Sequence, residues 1–370
     1  MKELVLITGS SGLIGSAAAQ RLAGHFDIVG LDSKPPKRLA PMKEHVHLDL
    51  TRDDSVHTAL RLVRTAYGDH IAAFIHLAAY YDFSGEPSPL YENVTVQGTA
   101  RLLRELQKSC HVEQFVFSSS MLVHAPCDKG QRINEDWPLD PKWDYPRSKV
   151  KTEHLLREQR GAMPLVVLRI AGVYDDQCHS IPIANQIQRI FERRLISQVF
   201  PGDTSHGQAF VHQQDVIRAI EASIERRESL PAELTLLIGE EETLSYEELQ
   251  RTLGQLIHGD EWRTERIPKA VAKAGAWLQD QVPGEEPFIK PWMVDLADEH
   301  YQLDISRARA LIGWEPEHSL RQTLPRMVES LRADPLRWYH DNKLESGRLE
   351  GRLVAGEAGK PSHPSTETPQ

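Results

Sequence analysis

Leu4-Val5-Leu6-Ile7-Thr8-Gly9-Ser10-Ser11-Gly12-Leu13-Ile14-Gly15 is an apolar run that breaks into a turn carrying three glycines and continues into a helical pattern. Such a sequence reads as a buried strand feeding a helix. Lacking Cβ atoms, the glycines let the backbone N–H groups at the helix start approach a pyrophosphate, whose charge the helix end favours. A second apolar run, Ile28-Val29-Gly30-Leu31, closes on Asp32, seventeen residues past Gly15. A carboxylate there accepts hydrogen bonds from adenosine ribose hydroxyls. Strand, turn, helix and acid together predict a dinucleotide site that includes Gly9, Ser11, Gly12, Leu13, Ile14, Gly15 and Asp32.

Outward from that turn, strands are expected near residues 3–7, 27–31, 45–48, 72–76, 114–118 and 164–169, with helices near 13–23, 53–66, 89–108 and 145–160. Alternation of this kind implies parallel strands joined by right-handed crossovers, an α/β fold with a Rossmann-type doubly wound sheet. Ligands of such sheets bind at the carboxyl ends of the strands, and Gly15, Asp32, Asp49, Ala78 and Ser120 sit at or just beyond those ends. After Arg169 the rhythm changes to a helix-like stretch near 181–194, a short strand around Gln198-Val199-Phe200, and Phe210-Val211-His212 leading into a helix near 214–227.

The chain has 370 residues, room for one large domain or two joined ones. Its 43 basic and 53 acidic side chains give a net charge of −10 with no basic block to neutralise a phosphate backbone, so nucleic acid is not an expected partner. No apolar stretch approaches the length of a membrane span and the N-terminus enters a strand at once, which reads as a soluble cytoplasmic protein, with a homodimer compatible. Cys110, Cys127 and Cys178 have no metal-like spacing, and His45 and His47 share a strand face without a third ligand, so no metal site is expected.

Tyr145-Pro146-Arg147-Ser148-Lys149 opens a helical stretch, and Ser118-Ser119-Ser120 ends the apolar run Phe115-Val116-Phe117. Together with the glycine turn, Asp49-Leu50, His76-Leu77-Ala78-Ala79, Asn93 and Asp304 through Pro316, in that order, these motifs make the chain resemble the extended short-chain dehydrogenase/reductase family over about residues 1 to 335. That family contains nucleotide-sugar epimerases, dehydratases and related reductases. The resemblance implies an NAD-binding Rossmann domain over 1–175 and 211–239 and a smaller, discontinuous C-terminal substrate lobe over 176–210 and 240–340. Within the lobe, Ser245 and Glu248 form a capping-box pattern. Residues 345–370, rich in Gly, Ser, Pro, Glu and Thr, are expected to form a disordered tail, with Trp338 and Tyr339 packing just before it.

Tyr145 and Lys149 are four apart and share a helical face. An ammonium near a phenol favours the phenolate, lowering a pKa of about 10 toward that of a general base. The resemblance implies that Lys149 also bonds the nicotinamide ribose and that Ser120, third in its run, is the catalytic hydroxyl. Ser118 and Ser119 are expected to satisfy backbone groups at the strand end, with Ser118 beside the cofactor. Asp49 and Leu50 match the adenine-contacting position, where Asp49 is also a helix cap for Thr51 onward. Leu77, Ala78 and Ala79 let the backbone pass close to the cofactor. Asn93 is either structural support or part of a relay through water or backbone, and His76 reads as a hydrogen-bonded core histidine. Asp32 argues for NAD, because it would repel a ribose 2′-phosphate; Lys34, Lys37 and Arg38 leave NADP open, although Pro35 and Pro36 can turn them outward.

Three positions depart from the nucleotide-sugar pattern. Gly172 stands where an asparagine is usual, Gln208 where an arginine clamps the diphosphate, and His124 replaces a tyrosine, either projecting into the substrate cleft as an added acid or base or simply packing. The expected activity is therefore NAD-dependent hydride transfer on a small molecule other than a typical nucleotide sugar. The lobe residues Ile181, Ile183, Trp277, Phe288 and Trp292 point toward alicyclic, steroid-like or flavonoid-like substrates. The alternatives are a nucleotide-sugar epimerase or dehydratase and a non-catalytic dinucleotide sensor. Met121-Leu122-Val123 after Ser120 lacks the acid pair a dehydratase would use, and retention of both Tyr145 and Lys149 argues against a sensor.

Overall fold

A computed structural model describes residues 2–36, 41–82, 85–272 and 294–354. Seven strands form one sheet: β1 (Leu4–Thr8), β2 (Asp27–Asp32), β3 (Glu44–His47), β4 (Ala73–His76), β5 (Phe115–Ser120), β6 (Leu165–Ile170) and β7 (Glu233–Ile238). All neighbours are parallel, in the order β7-β6-β5-β4-β1-β2-β3. The chain runs outward from β1 through β2 and β3, then returns to build β4 on the other side of β1. The topological switch point therefore lies at the carboxyl ends of β1 and β4, where Gly9 and Leu77 leave the sheet.

β1 and β6 are buried along their whole length, which explains their continuous apolar runs. Alternate side chains go to opposite layers. Val5, Ile7, Val116, Val166 and Leu168 pack with α1 (Leu13–Leu22), while Leu4, Leu6, Phe74, Phe115 and Phe117 pack with α2 (Asp53–Tyr67) and α3 (Gln97–Ser109). α4 (Asp144–Gln159) adds Leu156 to the second layer, and α5 (Gln213–Glu225) adds Val216, Ile217, Ala219, Ile220 and Ile224 to the first. Arg21 donates to Glu221 at 2.6 Å, tying α1 to α5.

The chain divides into two compact units, Met1–Val173, Gly207–Thr243 and Glu299–Ser319 in the first and Tyr174–His206, Leu244–Asp298 and Leu320–Gln370 in the second. Residues 299–319, expected from sequence within the lobe, thus cluster with the sheet unit. The reason is packing: Leu303 bridges Ile133, and Trp314 is buried with its Nε1–H donating to Asp215 O at 2.8 Å. The Asp215 carboxylate accepts the N–H groups of Glu317 and His318.

The second unit contains helices over Ile181–Phe191, Tyr246–His258, Leu320–Ala333 and Pro335–Asp341, and a parallel strand pair joining Val199–Phe200 to Glu265–Arg266. The expected capping box is present, Ser245 and Glu248 each accepting from the other's backbone N–H. Trp338 and Tyr339 are buried. Against the expectation of a disordered tail from residue 345, Gly347–Val354 is a helix, because Leu349 finds a buried position and Ser346 bonds Glu350 through both side chain and backbone. Residues 355–370, Lys37, Arg38, Trp277, Phe288 and Trp292 lie outside the described residues. Among the described residues no helix is long and apolar enough to cross a membrane.

Candidate active site

The turn after β1 is built on close approaches that only glycine permits. Gly9 has φ +70°, and a Cβ there would sit 2.9 Å from Ala78 N; a Cβ on Gly15 would sit 2.1 Å from Gly9 O. Gly12 is the N-cap of α1, with its N–H on Gly9 O at 3.0 Å, no side-chain cap and no acidic residue in the first turn. The first-turn N–H groups of α1 therefore face outward with the positive end of the helix dipole, a cradle fitted to a pyrophosphate. Asp32 accepts Ser11 N–H on Oδ2 and Lys34 N–H on Oδ1, both at 3.0 Å. Each oxygen keeps a further lone pair for a ribose hydroxyl. These residues fit a dinucleotide.

Farther along the carboxyl edge, Asp49 Oδ1 accepts both the N–H and the hydroxyl of Thr51, and these bonds hold its carboxyl below the usual range. Leu50 is buried against Gly98, where a Cβ would stand 2.8 Å from Leu50 Cβ. Arg101 Nη1 donates to Leu50 O and Asn93 O, each at 3.2 Å, so the Asn93 backbone braces this edge while its side chain is exposed. Asn93 belongs to a π-helical turn, Tyr91–Val96, which the sequence pattern does not reveal; such turns recur at functional sites.

His76 is a core residue, as its sequence context suggests. Thr99 Oγ1 donates to Thr95 O at 2.6 Å and so can only accept from His76 Nε2. His76 Nδ1 then accepts from Thr8 Oγ1 at 2.7 Å, and Thr8 Oγ1 accepts Ala78 N–H. The ring is neutral, burial holding its pKa down to about 3. This relay fixes Ala78 against Gly9.

Ser120 ends β5, and Tyr145 and Lys149 project from the first turns of α4. Ser120 Oγ accepts Leu122 N–H at 3.2 Å and acts on the Tyr145 phenol, whose pKa it pulls downward. Lys149 is buried, its Nζ donating to Ser118 O at 2.7 Å and lying 4.9 Å from the Phe117 ring centroid and 5.6 Å from that of Tyr145. The ammonium thus faces the Tyr145 ring. The expected lowering of the phenol is absent from the protein alone: burial pushes Tyr145 up to about 12, the Ser120 side chain opposing, and takes Lys149 down to about 7, Glu153 opposing. Ser118 Oγ donates to His76 O at 3.3 Å, while Ser119 turns inward to Glu153 at 2.5 Å.

Glu153 and Arg169 were not singled out by sequence. Glu153 accepts from Ser119, from Arg169 Nε at 3.1 Å and Nη2 at 2.7 Å, and from Arg157 at 3.0 Å. Arg169 pairs across the strands with Ser119 and donates onward from Nη1 to His124 Nε2 and Glu135 O. His124 is fully buried, its Nδ1–H on Trp137 O at 3.0 Å, and burial with the Arg169 charge takes it down to about 4. It is a packed acceptor, which settles its two readings against an acid or base in the cleft. A signal existed: an acid one helical turn past Lys149 and a lone charge within the apolar run Leu165–Ile170.

The other departures also have local reasons. A Cβ on Gly172 would meet the Phe210 ring at 2.8 Å, and Gln208 Nε2 donates to Glu299 O at 3.3 Å. Ile183 is core within the helix Ile181–Phe191.

The sequence model of the NAD dependent epimerase/dehydratase family matches residues 5–239. The chain is 27% identical to UDP-glucose 4-epimerase of Mycolicibacterium smegmatis over 88% of its own length and 98% of that protein. It is 26% identical to N-acetyl-alpha-D-glucosaminyl-diphospho-ditrans,octacis-undecaprenol 4-epimerase of Escherichia coli O157:H7, but over only 48% of this chain and 51% of that one. The crystal structure of Thermus thermophilus UDP-glucose 4-epimerase complexed with NAD superimposes with a TM-score of 0.67 at 22% identity, over 90% and 99% of the two chains. The two epimerase sequences are named for glycosyl-diphosphate substrates, which overturns the expectation, drawn from Gln208 and Gly172, of a substrate outside the nucleotide-sugar class. With the glycine cradle, the Asp32 carboxylate and the Ser120, Tyr145 and Lys149 cluster all on one sheet edge, and with 5–239 matched, the chain belongs to the NAD dependent epimerase/dehydratase family.

Proposed function

We propose that the protein is an NAD-dependent epimerase or oxidoreductase acting on a nucleotide sugar of the UDP-glucose or UDP-glucuronate type. The observation that carries this reading is the gathering of Tyr145, Ser120 and Lys149 at the carboxyl end of β5, on the same sheet edge as the glycine turn. The similarity to a UDP-glucose 4-epimerase along nearly its whole length supports the substrate class.

Gly9, Ser11, Gly12, Leu13, Ile14 and Gly15 would hold the cofactor pyrophosphate, Asp32 the adenosine ribose, Asp49 and Leu50 the adenine, and Leu77, Ala78, Ala79, Asn93 and Ser118 the remaining edge. NAD, when bound, supplies the hydride acceptor and donor. Tyr145 is protonated at neutral pH, its hydroxyl held above its ordinary value by burial, so it is poised to give a proton to a carbonyl oxygen and to take one from a hydroxyl in reverse. Ser120 bonds the same oxygen and stabilises charge developing on it. Lys149, fixed on Ser118 O, keeps a cation under the Tyr145 ring and makes phenolate formation easier when charged. The second unit, Tyr174–His206, Leu244–Asp298 and Leu320–Gln370, would form the substrate lobe.

Incubation with NAD and UDP-glucose or UDP-glucuronate, with product epimers read by NMR, tests this reading. Epimer formation that Tyr145→Phe abolishes is the expected result. No UDP binding by calorimetry, together with oxidation of a hydroxysteroid instead, overturns it.

A further inference from the structure

Two tyrosines follow the small residues that end β4, and the backbone carrying them is anchored. Tyr80 N–H donates to Thr95 Oγ1 at 3.0 Å, and the Tyr91 hydroxyl donates to Asp82 O at 3.0 Å. Tyr80 meets the buried Tyr91 edge-on, ring centroids 4.9 Å apart at 79°. Tyr81, the next residue, meets Tyr145 edge-on at 4.9 Å and 76°. Trp143, two residues before Tyr145, also touches that ring, at 5.4 Å and 36°. Tyr145 thus stands among aromatic rings, and one of them, Tyr81, is 49% exposed.

A single exposed apolar ring is ordinary on a protein surface and by itself marks nothing. Tyr81 differs in place: it rides on a fixed backbone and contacts the phenol assigned to the reacting oxygen. A ligand atom bonded to the Tyr145 hydroxyl is held by a ring that Tyr81 touches, with centroids 4.9 Å apart. Tyr81 is aromatic, and the π face of such a ring carries a negative quadrupole that attracts polarised C–H groups. A pyranose ring offers such a surface, a face of C–H groups beside the hydroxyl-bearing edge. The contact is non-directional, so it reads ring shape and leaves hydroxyl orientation to Tyr145 and Ser120.

We propose that Tyr81 is a specificity-determining residue that packs against the C–H face of the sugar ring whose reacting hydroxyl is held by Tyr145. This rests on the nucleotide-sugar reading above. The wall recognises the hexose and not the nucleotide, which separates its effect from binding of UDP alone.

The test compares wild type, Tyr81→Ala and Tyr81→Phe in UDP-glucose kinetics, with dissociation constants for UDP and NAD and the melting temperature measured on each. The expected result for Tyr81→Ala is a rise in KM for UDP-glucose of about fivefold to tenfold, the range of an aromatic contact of this kind. Its kcat, UDP affinity, NAD affinity and melting temperature stay near wild type, and Tyr81→Phe, which keeps the ring, retains the wild-type KM. An unchanged KM in Tyr81→Ala overturns the proposal while leaving the substrate class intact. A collapse of kcat with KM unchanged also overturns it, since the ring would then act by positioning Tyr145. If the wild type binds neither UDP nor UDP-glucose, the substrate reading fails, and the Tyr81 assignment falls with it.

Discussion

Removal of the Glu153 carboxylate is the sharpest perturbation this fold offers. The side chain is 0% exposed and that of Arg169 is 4% exposed, so neither charge can turn to water when its partner is lost. Glu153→Leu takes the carboxylate from Arg169 Nε and Nη2, from Arg157 Nη2, which keeps Thr235, and from the Ser119 hydroxyl. Removing one member of a buried pair costs about 3–5 kcal/mol, because the remaining charge stays buried and uncompensated. His124 and Glu135 O still hold Arg169 Nη1, and Arg157 keeps Glu233 and Thr235, which places the expected loss near the lower end, about 3 kcal/mol. For a domain of this size that corresponds to a fall in melting temperature of roughly 6–12 °C. Glu153→Gln fares little better, since its amide nitrogen would confront the two guanidinium donors. The double variant Glu153→Leu/Arg169→Met removes both charges and should recover part of the loss, the signature of a buried pair. Calorimetric melting of the wild type, Glu153→Leu, Arg169→Met and the double variant decides the matter. A shift under 2 °C for Glu153→Leu, or a double variant worse than the sum of the singles, would refute the argument.

Gly15→Ala should abolish dinucleotide binding, measured by nucleotide fluorescence, because its Cβ would stand 2.1 Å from Gly9 O and force the turn open. NAD(H) should bind more tightly than NADP(H), since both Asp32 oxygens are aimed by backbone N–H groups, and Asp32→Asn should narrow the gap. Tyr145→Phe should lower kcat by about 10²-fold or more while leaving NAD affinity nearly unchanged, because proton transfer is lost and the ring remains. Stability measured by urea unfolding should rise from pH 7 toward pH 10: Lys149, lowered to about 7 by burial, binds fewer protons when folded than when unfolded across that window, and Lys149→Met should flatten the rise.

The parts of this protein legible in its sequence are those where backbone geometry forces the residue type. Gly9 and Gly15 meet backbone atoms that no Cβ could pass, and β1 and β6 are buried on both faces, so glycine spacing and apolar runs carry their position directly. Tyr145 and Lys149 were legible for a related reason, as helical periodicity puts i and i+4 together. What escaped was set by contacts between distant segments. The burial of His124 depends on Arg169 and on the Trp137 carbonyl, 45 and 13 residues away, and a histidine in isolation looks the same whether it lines a cleft or closes a network. The state of the Tyr145 phenol was misjudged in the same way. Spacing placed an ammonium near the ring, but burial outweighs its charge. The serine run shows both regimes at once: three identical residues at the end of one strand go to three partners, Ser118 to His76 O, Ser119 to Glu153 and Ser120 to Leu122 N–H. Alternation along β5 separates Ser119 from its two neighbours, so the inward serine could be named from period alone. Choosing Ser120 over Ser118 requires knowing that α4 crosses the strand end with Lys149 over Ser118 and Tyr145 over Ser120, four residues of helix laid against two of strand.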